Sequence, residues 1–251
     1  MKNRRHIHRF IFWRIAGILL SGSLTVGSLP AIAQAPFRLN LPDLRAPGNR
    51  ESGSTRSTTC IDPDEQVIAL VPQSNYGQTQ DGYPTFYFYL PPTTAQYVKF
   101  RIDDGTTNET FYEGQFSITG DSGIFGLTLP AGGVQKPLEI GQSYYWYLTV
   151  VCEVGTADRT GDVTIDSTVE RVQPLVDSTQ TARADLPRLY AEAGLWYDAL
   201  AVSADLKQAD NAAPWNTLLS AVELENLLPV PVLSGELAFE DSAVLGGEDV
   251  N

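Results

Sequence analysis

The stretch from Val67 to Val172 constrains this chain more than any other, because apolar and aromatic residues recur there in short runs separated by turn-forming residues. The runs are VIALVP, TFYFYLP, QYVKFRID, ETFYEGQFSI, GIFGLTLP, SYYWYLTVV and RTGDVTIDSTVERV. β-Branched and aromatic side chains dominate them, and DGYP, DDGTTN, TGDSG and PAGG punctuate them. Seven short strands within roughly 100 residues predict an antiparallel, immunoglobulin-like β-sandwich. In SYYWYLTVVC the period of two puts Tyr144, Trp146, Leu148, Val150 and Cys152 on one face and Tyr145, Tyr147, Thr149 and Val151 on the other. The tryptophan face is the natural inner one. Phe86, Phe88 and Leu90 oppose Tyr87 and Tyr89 in the same way. Tyr87, Tyr89, Tyr145 and Tyr147 therefore line second faces, which can serve as a platform for sugar rings or a protein partner. The competing role, seating the C-terminal helices, follows from the rarity of large exposed apolar patches.

After Val172 the texture turns helical, so the predicted class is α+β, a sandwich followed by a small helical subdomain. Asp185 is placed as an N-cap with Pro187 in the first turn. Helix formers fill Leu186 to Ala193 and Leu195 to Lys207, and a third segment, PWNTLLSAVELENLL, carries Trp215 on its apolar side. PVPV stops it. Between the first two segments, Tyr190, Gly194, Trp196, Ala199 and Leu200 resemble the middle of one tetratricopeptide unit, with glycine at the turn between two antiparallel helices. Repeat arrays need about three or more units for stability. This hairpin must lean on something else. Drawn as a single helix from Leu189 to Leu206, it shows two apolar stripes, which predicts burial on two sides.

The N-terminus reads as a secretory signal over residues 1–33: five basic residues, an apolar stretch from Ile15 to Leu29, and Ala31-Ile32-Ala33 as the cleavage site. The apolar stretch is short for a membrane span, which needs about 20 residues. Without the signal, 12 basic side chains face 30 acidic ones, a net charge of −18. Such a field opposes nucleic acid, so none is expected as a partner. Both histidines, His6 and His8, lie in the signal. A chain without them has no Ser-His-Asp or Cys-His site and no imidazole metal ligand. Cys60 and Cys152 form an even pair in an exported context, which predicts one long-range disulfide. Residues 34–59, rich in Pro, Gly, Ser and Arg, read as a flexible tether, residues 60–175 as the sandwich and 176–230 as the helical subdomain. Residues 231–251 read as an acidic, disordered tail.

Catalytic signals are weak. A carboxylate-dependent hydrolase needs two carboxyls about 5–10 Å apart across one bond. Asp198 and Asp205 share a ridge, Glu192 lies away from it, and Asp103, Asp104, Asp162 and Asp166 are the candidate distant partners. DDGTTNE, residues 103–109, lacks the alternating ligands of a calcium loop and reads as a hairpin turn. Lys99, Lys136 and Lys207 are the remaining amines, none in a Ser-x-x-Lys arrangement, and no phosphate-binding glycine loop is present.

The ordered stretches RESGSTRSTTC, ALVP, YYWYLTVVC, LYAEAGLWYDAL and PWNTLLSAVELENL are similar to those of an uncharacterised family of cyanobacterial exported proteins, a domain of unknown function, over about residues 50–228. The resemblance implies an envelope or periplasmic setting and carries no catalytic or cofactor residues. The expected function is an exported, non-catalytic binding or scaffolding module for an envelope protein or glycan, with no cofactor and no transmembrane segment after cleavage. A carboxylate-dependent hydrolase of envelope polysaccharide and a secretion or assembly accessory factor are the alternatives.

Overall fold

The structure, a computed structural model, describes residues 38–53, 60–153 and 159–233 and the backbone of 238–239. The signal segment 1–33 lies outside the described residues, as does most of the acidic tail. Each predicted strand forms. The three-stranded sheet is antiparallel, in the order β1 (Ile68–Ala69), β3 (Thr85–Leu90), β6 (Gly123–Thr128). The six-stranded sheet runs β2 (Tyr76–Thr79), β8 (Val163–Arg171), β7 (Ser143–Val151), β4 (Tyr97–Asp104), β5 (Thr110–Ser117), β9 (Ala238–Phe239). All its pairings are antiparallel except β2 with β8. Among the described residues three helices follow, α1 (Leu186–Glu192), α2 (Trp196–Gln208) and α3 (Ala213–Ala221), so the fold is α+β.

The sheets meet through their aromatic alternation. Phe86 of β3 lies 5.0 Å from Phe100 of β4 and 5.5 Å from Trp146 of β7, ring centre to ring centre. Tyr144, Trp146, Leu148 and Val150 are all buried, and Tyr145, Tyr147 and Thr149 are not, as the period of two requires. The Cys60–Cys152 disulfide forms, tying the segment before β1 to the end of β7 across 92 residues of sequence. The four-residue β2 has no alternating signature, since Gly77 and Gln78 interrupt it. Gly77 is needed by packing: a Cβ there would come within 2.9 Å of the Tyr197 ring.

Each helix ends in the same way. Leu195 N–H donates to Tyr190 O, Asn211 N–H to Leu206 O and Leu224 N–H to Leu219 O, with Gly194, Asp210 and Glu223 in the left-handed region at φ of 82°, 63° and 61°. This is the Schellman arrangement, which satisfies the last helical carbonyls. It ends α3 at Ala221, short of the longer segment predicted from PWNTLLSAVELENLL, and Glu225–Leu227 forms a separate 3-10 turn. Asp185 sits at the N-cap position of α1, but its side chain makes no capping bond; a 3-10 turn over Arg183–Asp185 leads in instead.

Of residues 34–59, read from composition as a flexible tether, the described part, 38–53, is laid along the fold as a strap. Asn40 donates from its backbone to Ala191 O at 2.9 Å and from its side chain to Glu192 O at 3.2 Å, covering the end of α1. Ala46 donates to Ser74 O, Asp166 donates to Asn49 O, Ala69 donates to Arg50 O and Ser52 donates to Val67 O. Composition misled because a strap can be held by backbone bonds to sheet edges and helix ends, with no apolar period of its own.

Candidate functional site

The residues singled out in the helical hairpin are packed inward. Tyr190, Trp196, Ala199, Leu200 and Trp215 are all buried. Trp196 Nε1 donates to Leu70 O at 2.9 Å, fixing the start of α2 to the segment after β1. Next to it Tyr197 receives a hydrogen bond from Trp146 Nε1 at 2.9 Å, donates to Thr168 O, and meets Phe86 edge-on at 5.4 Å. Trp196 and Tyr197 thus wedge α2 against both sheets. Gly194 is held by a second demand besides its turn, since a Cβ there would lie 2.7 Å from Asn40 O of the strap.

The four tyrosines divide between the two sheets. Tyr87 on β3 is covered, 9 % exposed, with its ring edge-on to Trp215 at 6.0 Å. Tyr89 is half-buried and its hydroxyl accepts from Ser122. Tyr145 and Tyr147 lie on the outer face of the six-stranded sheet, both half-buried. Trp215 is seated over the β3 tyrosine, whereas α2 meets β7 through Trp146 of the opposite, inner face, and Tyr145 and Tyr147 stay half-buried.

The strand register builds this outer face in two rows. Glu113, Arg101, Tyr147 and Asp166 face one another across β5, β4, β7 and β8, and Gln115, Lys99, Thr149 and Thr164 form the adjoining row. Lys99, Arg101, Glu113, Tyr147, Thr149 and Thr164 line a groove of about 350 Å³. The Arg101 guanidinium carbon lies 5.5 Å from the Tyr147 ring centre, and Arg101 is in turn ion-paired with buried Asp103, Nε to Oδ1 at 2.9 Å and a second pairing through Nη2. That bond holds the Arg101 guanidinium charged above its usual range. The Tyr147 hydroxyl is pushed up, chiefly by burial and further by Asp103 and Asp166, so the phenol is neutral. Thr149 and Thr164 hydroxyls share a hydrogen bond of 2.9 Å. The face offers an aromatic ring, donors and acceptors side by side.

The acids named as distant partners are tied into structure. Asp104 accepts from the backbone of Thr106 and Thr107 at 2.8 and 2.9 Å, making residues 103–109 the β4–β5 hairpin turn and holding its carboxyl below the usual range. Asp162 accepts from Cys152 N–H and Asp166 from Asn49 N–H. Asp205 pairs with Arg183 and Glu192 with Arg188. Asp198 is the exception in electrostatics. Burial pushes its carboxyl up to about 6, against the hydrogen bonds it receives from Thr79 and from Gln80 N–H at 3.1 Å, with Asp81 adding to the rise. Sequence reasoning missed this, because the burying surface, the end of β2, comes from a strand it did not see. A second groove, of about 310 Å³, lies between Leu41–Arg45 of the strap, Pro72–Ser74 and the end of α3. Among the described residues no group of three or more His, Cys, Asp or Glu could hold a metal ion, and no helix is long and apolar enough to cross a membrane.

The family description Domain of Unknown Function (DUF928) matches residues 51–232, most of the chain. The chain belongs to the DUF928 family. The limits of the DUF928 match coincide with pairings at the edges of the three-stranded sheet, Glu51 with Ile68 at one end and Val232 with Ile124 at the other. The DUF928 region therefore contains the groove face and all three helices, and leaves strap residues 38–50 outside it. No curated protein and no solved structure matches the chain.

Proposed function

We propose that this protein is an exported, non-catalytic binding or scaffolding module of the cell envelope, built as an immunoglobulin-like sandwich whose working surface is the outer face of the six-stranded sheet. The observation that carries this is the contrast between the tyrosine faces. Tyr87 is consumed by packing against Trp215, whereas Tyr147 lines a groove with Lys99, Arg101 and Glu113. Aromatic rings with polar neighbours are the composition of recognition surfaces. The disulfide suits an oxidising compartment.

Affinity capture from intact envelopes tests the proposal, with the chain lacking residues 1–33 as bait and its Tyr145→Ser/Tyr147→Ser variant as control. A defined partner retained by the first and lost by the second, at an unchanged unfolding midpoint, is the expected result. A partner held equally by both, or turnover of an envelope polysaccharide by the purified protein, contradicts it.

A further inference from the structure

We propose that the groove on the six-stranded sheet binds a neutral, hydroxyl-rich polysaccharide, with Tyr147 as the ring on which a sugar stacks. This rests on the proposed function, in which the same face is the working surface.

The Tyr147 ring is half-buried and steadied by Arg101 at 5.5 Å, which is itself anchored on buried Asp103. A ring already held in place loses little freedom on binding, and the face of the ring turned away from Arg101 is the one that suits the C–H face of a pyranose. Lys99 and Glu113 are diagonal neighbours on paired strands, since Lys99 lies opposite Gln115 and Arg101 opposite Glu113. Among the described residues neither Lys99 nor Glu113 is in a close ion pair, although the Glu113 charge acts on Arg101 opposite it. An ammonium can only donate and a carboxylate only accept, whereas a sugar hydroxyl does both. Opposite charges set side by side therefore complement a polyol better than a polymer of one sign.

The charge of the chain points the same way. A net −13 opposes a polyanion at long range, and in the groove Lys99 and Arg101 are balanced by Glu113 and by Asp103, which pairs with Arg101. A polycation would be drawn to the acidic surface at large, with no reason to select this groove. At about 350 Å³ the groove is at the small end of ligand sites, so it would hold a short stretch of a longer chain.

Calorimetric titration of the chain lacking residues 1–33 tests this with cellohexaose, maltohexaose and chitohexaose as neutral probes and hexagalacturonate as the anionic one. At least one neutral hexasaccharide should bind, with an affinity that changes less than about twofold when salt is raised, since no ion pair is formed. Tyr147→Ala should weaken it at least about tenfold, Tyr147→Phe should keep it within about threefold, and Tyr89→Ala, on the other sheet, should leave it unchanged. Failure of all three neutral probes, preference for hexagalacturonate with strong salt dependence, or full affinity in Tyr147→Ala overturns the inference. If no sugar binds but Tyr145→Ser/Tyr147→Ser still releases an envelope protein, the sugar assignment falls and the proposed function stands. If that variant also keeps its partner, both fall.

Discussion

At Gly194 two demands meet in one residue: a left-handed backbone at the end of α1 and the carbonyl of Asn40 where a side chain would begin. Asp210 and Glu223 occupy the same position after α2 and α3 without being glycine. The turn alone thus tolerates a side chain, at a strain of about 1–2 kcal/mol. Gly194→Ala should destabilise by about 2 kcal/mol or more, while Glu223→Gly should be neutral or stabilising by up to about 1 kcal/mol, as read from urea unfolding. A Gly194→Ala loss no larger than the Glu223→Gly gain would remove the strap from the explanation. Asp198 gives a second prediction at this scale. Its carboxyl, raised from 3.8 to about 6 by burial, binds its proton more tightly folded than unfolded. Its contribution to stability is therefore present below about pH 4 and lost as pH rises through about 6. The difference in stability between the native protein and Asp198→Asn should shift by up to about 3 kcal/mol in favour of the variant between pH 4 and pH 7. A pH-independent difference would show that Asp198 titrates as an ordinary surface acid.

Among elements, the strap and the disulfide act on the sheets from outside the strand pattern. A chain beginning at Arg50 lacks Asn40 and should keep its sheets while the α1 amides exchange at least about tenfold faster. Unchanged exchange would mean that the strap adds nothing to α1. Replacing Cys60 and Cys152 by serine should lower stability by about 4–5 kcal/mol, because the bridge spans 92 residues and restricts the unfolded chain. A loss below about 1 kcal/mol would contradict that loop-entropy account. The long strands were legible from sequence because β7 alternates from Ser143 to Val150, with Trp146 turned inward against Phe86, and β3 alternates in residue type, although both of its faces are covered at Tyr87, which lies under Trp215. β2 was not, because Gly77 is there to admit Tyr197, and a residue chosen for a distant neighbour leaves no local period. The end of α3 was also missed, since Glu223 carries none of the signal that glycine gives Gly194.

For the whole molecule, sequence placed Tyr145 and Tyr147 on an outward face but joined them in one set with Tyr87 and Tyr89. Which tyrosine face the helices cover depends on how α2 and α3 dock, and Trp196, Tyr197 and Trp215 settle that only in three dimensions. Lys99, Arg101 and Glu113 gain their place beside Tyr147 from strand register, which pairing of β4 with both β5 and β7 determines. In the proposed function this sheet face, and not the helical end, meets the partner. The most direct measurement is the affinity of the captured envelope ligand for two double variants, Tyr145→Ser/Tyr147→Ser on the sheet and Asn216→Ala/Ser220→Ala on the exposed side of α3. The sheet variant should lose at least about tenfold in affinity and the helix variant none. Full affinity in the sheet variant with a loss in the helix variant would contradict it.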